Sequence, residues 1–254
     1  MSDVSAMRLP DFIIGGAPRS GTTWLYEALD RHPELHLAQP VVPEPKFFLV
    51  DSEYDKGLMY YSKRWFDGIP AGVLAGEKST NYLESPAART RIAHDLPSVK
   101  LLFILRDPAD RACDNYRWSR MNGLEPLDLD EALRCEAERE LAYDEKTRYS
   151  RPFSYFSRGL YAELLRPWFE SVARDQIAVV RFEDIIERPS DLLSEAHRFL
   201  DVAMRPFDHE GLGKINAAEG PTCEEAALVR LRSRYKGPNR DLEELLGRKM
   251  WGEL

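Results

Sequence analysis

Short apolar runs alternate with helical patterns along most of the chain. Continuous apolar stretches at 11–15, 73–75, 100–105 and 177–182 predict buried strands. Helical periodicity, or a capping residue followed by proline, predicts helices at 21–31, 54–66, 85–96, 108–118, 130–143, 160–172, 189–200 and 223–246. Because buried strands that alternate with helices form parallel sheets covered on both faces, we expect an α/β fold with a central parallel sheet flanked by helices.

The length and the charge of the chain narrow the class of protein. Its 254 residues suit one α/β domain, and we expect a single domain over residues 1–254. The formal net charge of -8 argues against general binding to nucleic acid or to an anionic membrane. No apolar stretch approaches the roughly 20 residues that cross a bilayer, and the first residues lack the pattern of a signal peptide. We expect no nucleic-acid partner and no membrane anchor, and the sequence leaves a homodimer open.

The cysteines and histidines give no metal or disulfide pattern. The chain has three cysteines, Cys113, Cys135 and Cys223, without a CxxC spacing. An odd number at these spacings makes both a disulfide framework and a cysteine-ligated zinc site unexpected, and it favours a cytoplasmic location. Among the five histidines, His32 and His36 are four positions apart, but no cysteine lies near them in the sequence. We therefore predict no metal.

A glycine-rich loop, GGAPRSGTTW, joins the first predicted strand to the first helix. Backbone amides at such a junction typically bind phosphate, and Arg19 would add a positive charge. A bare turn is the alternative, but a turn has no need of an arginine and two threonines. The frame is also close to that of nucleoside-triphosphatases. Thr22 stands where those enzymes need lysine, however, and the strand at 100–105 ends in Arg106 rather than in an acid.

This loop resembles the 5′-phosphosulfate loop of sulfotransferases that use 3′-phosphoadenosine 5′-phosphosulfate (PAPS). A second stretch, KLLFILRDPADRACDNYRW at 100–118, resembles the strand, arginine and helix that hold the 3′-phosphate in that family. Further stretches are similar to the heparan-sulfate branch (N-deacetylase/N-sulfotransferases and 3-O-sulfotransferases) and its bacterial relatives: EPKFF at 44–48, GEKSTNY at 76–82, SRGLYAELLRPWF at 157–169 and RLRSRYKGPNRDLEELLG at 230–247. The resemblance implies a P-loop-like sulfotransferase fold, PAPS as cofactor with PAP as its product, and no metal.

The resemblance also implies roles for particular residues. Glu44 would be the general base, and Lys78 would stabilise charge on the leaving oxygen. Arg19 would act at the 5′ end of the donor and Arg106 at its 3′-phosphate, where a guanidinium suits the oxyanion. The other donor contacts implied are Ser20, Gly21, Thr22, Thr23, Trp24 and Lys214. The catalytic set is thus Glu44, Lys78 and Arg19.

One position departs from the family pattern. Where relatives carry a serine for the 3′-phosphate, this chain has Asp114. A carboxylate beside a phosphate is repulsive unless the helix turns it away or a cation such as Arg111 or Arg117 intervenes. Weaker donor binding is the third alternative.

The acceptor is the least specified part of the function. A chain with a net charge of -8 is a poor match for the basic clefts that hold a polyanion. We expect a hydroxyl, and less readily an amine, on a small molecule, glycolipid or saccharide. Aromatic residues could line the acceptor pocket or pack in the core: Phe47, Phe48, Tyr82, Trp118, Tyr149, Phe153, Tyr155 and Phe156. A P-loop kinase or nucleoside-triphosphatase, and an inactive PAP-binding homologue, are left open as alternative functions.

Overall fold

The computed structural model describes residues 7–145, 147–206, 212 and 223–252. Lys214 lies outside these ranges, so its predicted contact with the donor stays a prediction. The backbone divides into two compact units, and each is described by itself. The first consists of the described residues of Met1–Ile104 and Ser171–Ile215, and the second of those of Leu105–Glu170 and Asn216–Leu254. The single domain over residues 1–254 also stays a prediction.

A five-stranded sheet forms the centre of the first unit. Its strands are β1 (Phe12–Gly16), β2 (Leu35–Leu37), β3 (Leu74–Lys78), β4 (Lys100–Leu105) and β5 (Ile177–Arg181). They lie in the order β2-β3-β1-β4-β5, and β1 pairs in parallel with both β3 and β4. The predicted α/β fold with a central parallel sheet is confirmed. Strand β2 was not predicted, because its three residues are too few to show a pattern.

The helices in chain order are α1 (Thr22–Asp30), α2 (Asp51–Tyr54), α3 (Gly57–Trp65), α4 (Pro86–Asp95), α5 (Pro108–Met121), α6 (Leu129–Arg134), α7 (Glu136–Leu141), α8 (Tyr161–Ser171), α9 (Asp184–Glu187), α10 (Pro189–Leu200) and α11 (Glu225–Leu246). The helix predicted at 54–66 is two helices, and Gly57, at a positive φ of 80°, lies where the second begins. The helix predicted at 130–143 is also two, divided at Cys135. No helix among the described ranges is long and apolar enough to cross a membrane.

One hydrophobic core of the first unit lies between the sheet and two helices. Strand residues Phe12, Ile14, Leu102, Ile104 and Val180 pack with Trp24, Leu25 and Leu29 of α1 and with Leu192, Leu193 and Ala196 of α10. All of these side chains are buried. This packing fixes α1, and therefore the glycine-rich loop that precedes it, against the carboxyl end of β1.

Helices α5 and α11 supply most of the core of the second unit. The buried set there includes Ala109, Ala112, Tyr155, Leu231 and Tyr235. Asp107 begins α5 as its N-cap, accepting hydrogen bonds from the amides of Ala109 at 3.0 Å and Asp110 at 2.9 Å. The Arg-Asp-Pro stretch therefore ends a strand and starts a helix, as the sequence predicts.

One expectation about the cysteines is wrong. Cys113 of α5 forms a disulfide with Cys223, although 110 positions separate them in the sequence. Spacing rules detect cysteines that are close in the sequence, whereas this disulfide joins α5 to the segment just before α11. Disulfides persist chiefly in oxidising compartments, so the cysteines no longer support a reducing cytoplasm. The cytoplasmic location stays a prediction.

Candidate active site

The glycine-rich loop lies between β1 and α1 and presents polar groups at the start of the helix. Gly21 is the N-cap of α1 at a φ of 80°, and as a glycine it has no side chain to cap the helix. Arg19 also adopts a left-handed backbone, with a φ of 67°, which is unusual for a residue with a side chain. Ser20 is fully buried, and its hydroxyl has no hydrogen-bond partner among the described residues. An uncapped helix start beside a buried, unsatisfied hydroxyl and an arginine suits a phosphate group.

The other predicted donor contacts of this loop differ in how they are presented. Thr22 is buried, whereas Thr23 is half-buried and its hydroxyl lies 3.4 Å from Lys78 Nζ. The side chain of Trp24 is only 6% exposed and packs in the core of the first unit. If Trp24 contacts the donor, its backbone is therefore the part available.

Glu44 and Lys78 form a close ion pair. Lys78 Nζ donates to Glu44 Oε1 at 2.7 Å, and the side chains are 4% and 12% exposed. The amide of Thr80 donates to Glu44 Oε2 at 3.2 Å, and its hydroxyl also lies within hydrogen-bond distance of the carboxylate. Because Nζ also reaches Thr23, one ammonium group touches both the predicted base and the glycine-rich loop.

The pairing of strands explains why these residues meet. Ile14 of β1 stands opposite Lys78 of β3, so the carboxyl ends of the two strands are neighbours. Ligands of open parallel sheets bind at this end. The glycine-rich loop continues from β1 and Lys78 ends β3, which places both at one edge of the sheet.

Gly16 allows the loop to pass close to Thr80. A Cβ at this position would lie 2.9 Å from the Thr80 carbonyl oxygen and 2.8 Å from Leu83 Cβ, and φ is 151°. We expect Gly16→Ala to lower the free energy of unfolding by about 1–3 kcal/mol, measured by urea unfolding. Gly68→Ala is the matched control, since Gly68 also has a positive φ but no atom within 4 Å of a Cβ. Equal losses in the two variants would refute the steric argument.

Two hydroxyl groups accept hydrogen bonds from the backbone of the segment from Glu44 to Phe48. The Lys46 amide donates to Ser79 Oγ at 2.9 Å, and the Phe48 amide donates to Tyr82 Oη at 3.2 Å. The ring of Phe47 stacks on that of Tyr61, with centroids 4.3 Å apart. Four of the aromatic residues considered for the acceptor pocket are buried: Phe47, Phe48 and Tyr82, and Tyr155 in the second unit. Their burial favours packing in the core over a place in the acceptor pocket.

Glu77 lies next to Lys78 but faces the opposite way. Its side chain is fully buried, and Oε2 accepts a hydrogen bond from Ser79 Oγ at 3.1 Å. Burial raises the pKa of Glu77 to about 7, against the lowering effect of the Tyr61, Tyr82 and Ser79 hydroxyls and with a further rise from the charge of Glu44.

In the second unit, Arg106 follows the last residue of β4. Its side chain is 23% exposed, and Nη1 lies 3.8 Å from Asp114 Oδ2. The Tyr161 hydroxyl donates to the Arg106 carbonyl at 3.0 Å. Asp114 is therefore not turned away from the arginine, as one of the alternatives above required. It is oriented toward the guanidinium that is predicted to bind the 3′-phosphate.

The sulfotransferase domain family matches residues 9–216 of this sequence. The chain belongs to the sulfotransferase family. The fold agrees with this, since a solved sulfotransferase from Alicyclobacillus acidocaldarius is similar at a TM-score of 0.77 and 26% identity, over 96% of this chain and 98% of that one. The motif-based resemblance is thereby confirmed at the level of the family.

Relatives in the heparan-sulfate branch match nearly the whole of this sulfotransferase. It is 27% identical to heparan sulfate glucosamine 3-O-sulfotransferase 3A1 of Mus musculus, over 97% of this chain and 65% of that protein. It is 28% identical to bifunctional heparan sulfate N-deacetylase/N-sulfotransferase 4 of Mus musculus, over 94% of this chain and 30% of that protein. The chain therefore spans less than two thirds of the length of these relatives.

The position of Asp114 gives a testable prediction for donor binding in this sulfotransferase. We expect Asp114→Ser to tighten PAP binding by about 5- to 30-fold, because it removes a carboxylate that competes with phosphate for Arg106 and adds a hydroxyl donor. Calorimetry measures the change in Kd. Asp110→Ser is the control, since Asp110 is on the same helix but lies 3.3 Å from Arg232. If Asp114→Ser binds PAP more weakly than wild type, or equally well, the Asp114 carboxylate does not oppose donor binding.

Some residues of this site were not predicted. Thr80 contacts Glu44, Ser79 anchors the Lys46 amide, and Tyr61 packs under the same loop. The signal for the first two was the run of hydroxyl residues directly after Lys78, at the end of a predicted strand. No local pattern marks Tyr61, because it comes from α3.

Proposed function

We propose that this chain transfers a sulfuryl group from PAPS to an acceptor hydroxyl, with Glu44 as the general base. The observation that carries the proposal is the position of Lys78 Nζ, 2.7 Å from Glu44 and 3.4 Å from Thr23 of the glycine-rich loop. Sulfuryl transfer needs a base on the acceptor side and a cation on the leaving side of one sulfur atom. A single ammonium group between a carboxylate and a phosphate-type loop supports that arrangement.

The residues divide the work by charge. Glu44 accepts the proton of the acceptor hydroxyl while the acceptor oxygen bonds to sulfur. Lys78 donates a hydrogen bond to the oxygen that leaves with the phosphate, and so offsets the negative charge that develops there. The bound donor supplies the sulfuryl group, and the S–O bond to its phosphate is the bond that breaks. Thr80 holds Glu44 through its amide and hydroxyl, which fixes the direction of the carboxylate.

Donor binding is proposed for two sets of residues. Arg19, Ser20, Gly21, Thr22 and Thr23 would hold the 5′ end, and the buried hydroxyl of Ser20 and the uncapped start of α1 support this. Arg106 would hold the 3′-phosphate, and its partly exposed guanidinium supports this. The backbone of Trp24 and the side chain of Lys214 complete the proposed set.

A nucleoside-triphosphatase is less well supported. The acids that follow β5 would have to bind Mg²⁺, but Asp184 is buried and held by two arginines. Arg181 Nη2 lies 2.6 Å from one of its oxygens, and Arg188 Nη2 lies 2.8 Å from the other. These ion pairs lower the pKa of Asp184 against the effect of its burial. Asp184 therefore joins β5 to the helices that follow it.

The acceptor is proposed as a hydroxyl of a small molecule, glycolipid or saccharide. The relative named a glucosamine 3-O-sulfotransferase supports a saccharide hydroxyl. The relative named an N-sulfotransferase keeps an amine as the second choice. The half-buried Lys46, two residues after Glu44, would add a further cation near the acceptor.

A transfer assay with ³⁵S-labelled PAPS tests this function. Acceptor panels of saccharides, glycolipids and small phenols or alcohols are incubated with the wild-type chain and with Glu44→Gln. The proposal predicts labelled product with at least one hydroxyl acceptor and none above background with the variant. Label transferred equally by the variant, or only released as free sulfate by both proteins, would contradict it.

A further inference from the structure

Glu77 is a buried carboxyl that the reaction itself does not use. It is 0% exposed, at the end of β3, with Ile13 of β1 as its partner in the sheet. Oε1 has no hydrogen bond of good geometry among the described residues, so the directed contact of the carboxyl is the one from Ser79 to Oε2. Burial of a carboxyl with few hydrogen bonds costs free energy of folding, so its presence calls for an explanation.

Alternate residues at the end of β3 and directly after it make two different sets of contacts. Lys78 and Thr80 both contact the Glu44 carboxylate. Glu77 and Ser79 point to the other side and hydrogen-bond to each other. The same stretch therefore contacts Glu44 directly through Lys78 and Thr80, and it supports the loop of Glu44 through Ser79.

The support runs through hydroxyl groups. Ser79 Oγ donates a hydrogen bond to Glu77 and accepts one from the Lys46 amide at 2.9 Å. Tyr82 Oη accepts from the Phe48 amide at 3.2 Å, and Tyr82 is also among the groups that lower the pKa of Glu77. A carboxylate accepts only, so an ionised Glu77 turns the Ser79 hydroxyl so that its lone pair faces the Lys46 amide.

We propose that Glu77 is a positioning residue that orients the Ser79 hydroxyl, and through it fixes the Glu44–Phe48 loop so that Glu44 is placed for proton transfer. The last step rests on the proposed function. The anchoring of the loop does not, because it concerns only contacts within the first unit.

The charge of Glu77 reduces the stability of the fold. Its ordinary pKa is 4.5, and in the fold it is about 7. Between these values the unfolded chain has released the proton while the folded chain keeps it, so the free energy of unfolding falls as the pH rises, and the loss is complete above about pH 7. The groups that face the carboxyl are Tyr61 from α3, Tyr82, Ser79 and the charge of Glu44.

Glu77→Gln separates positioning from a merely structural role. Glutamine keeps the size of the side chain but cannot ionise, and its amide can donate to a hydroxyl instead of accepting from it. We expect hydrogen exchange of the amides at 44–50 to become about tenfold faster, and kcat to fall by about 10- to 100-fold with the Kd for PAP unchanged. We also expect the Tm of the variant to rise relative to wild type as the pH is raised from 5 to 8, because the variant does not lose stability through ionisation of a buried carboxyl.

Ser79→Ala and Glu53→Gln complete the test. Ser79→Ala removes the linking hydroxyl, so it is expected to speed exchange at 44–50 while keeping the ionisable Glu77. Glu53→Gln removes a half-buried carboxylate paired with Lys56 and is expected to change neither exchange nor kcat. Hydrogen exchange at 44–50 tests the positioning role of Glu77, and kcat tests its link to the proposed function.

Two results would overturn the positioning role. One is Glu77→Gln with wild-type exchange at 44–50. The other is faster exchange spread over the whole chain together with a lower Tm at pH 8, which would make Glu77 a structural residue. If Glu77→Gln does not fold, Ser79→Ala with wild-type exchange at Lys46 overturns the proposal by itself.

Discussion

Glu44→Gln is expected to lower kcat by about 10²-fold or more while the Kd for PAP stays within about twofold of wild type. The carboxylate lies 2.7 Å from Lys78 and is held by Thr80, and neither partner belongs to the glycine-rich loop that we assign to the donor. Glutamine keeps the shape of the side chain and removes its capacity to take a proton. Steady-state kinetics with PAPS and an active acceptor, together with PAP calorimetry, measure the two quantities.

Glu53→Gln is the control for the loss of one negative charge, since Glu53 pairs with Lys56 on the same unit of the chain. It is expected to leave both quantities unchanged. Near-normal turnover of Glu44→Gln would remove Glu44 from the role of base. A similar fall in PAP affinity would instead indicate that the change disturbs the loop around Thr23 through Lys78.

Arg106→Ala is expected to weaken PAP binding by about 2–4 kcal/mol, which is about 30- to 700-fold in Kd. A guanidinium makes strong, charge-assisted hydrogen bonds to a phosphate dianion, and alanine leaves that charge without a partner. The variant also leaves Asp114, now without its arginine at 3.8 Å, which adds to the loss. Calorimetry at fixed ionic strength measures the effect.

Arg230→Ala is the matched control in the same unit. Arg230 also pairs with a carboxylate, that of Asp130 at 2.7 Å, but both side chains are more than half exposed. Its removal is expected to change the Kd for PAP by less than about twofold. A comparable loss in both variants would show that Arg106 acts only through the net charge of the chain.

The elements with the strongest local signals were predicted with the bounds that the structure has. The apolar run KLLFIL is β4, at Lys100–Leu105, and the helix opened by Pro189 is α10, at Pro189–Leu200. Both signals are local, since one is a continuous buried run and the other combines proline at the first helical position with an apolar stripe. The short edge strand β2 has neither signal.

The site could be predicted one residue at a time, but not as a network. The motifs pointed separately to Glu44 and Lys78, which are 34 positions apart, and the structure joins them in an ion pair. The burial of Glu77 among Tyr61 and Tyr82 depends on how α3 packs against the sheet, which no local pattern encodes. The Cys113–Cys223 disulfide was missed for the same physical reason.

Titration calorimetry with PAP tests most directly that this chain is built to bind the PAPS nucleotide. We predict saturable binding of one PAP per chain in buffer that contains EDTA, and no binding of ATP–Mg²⁺ at the same concentration. A folded protein, verified by its thermal transition, that gives no heat with PAP would contradict the account, as would a preference for ATP–Mg²⁺.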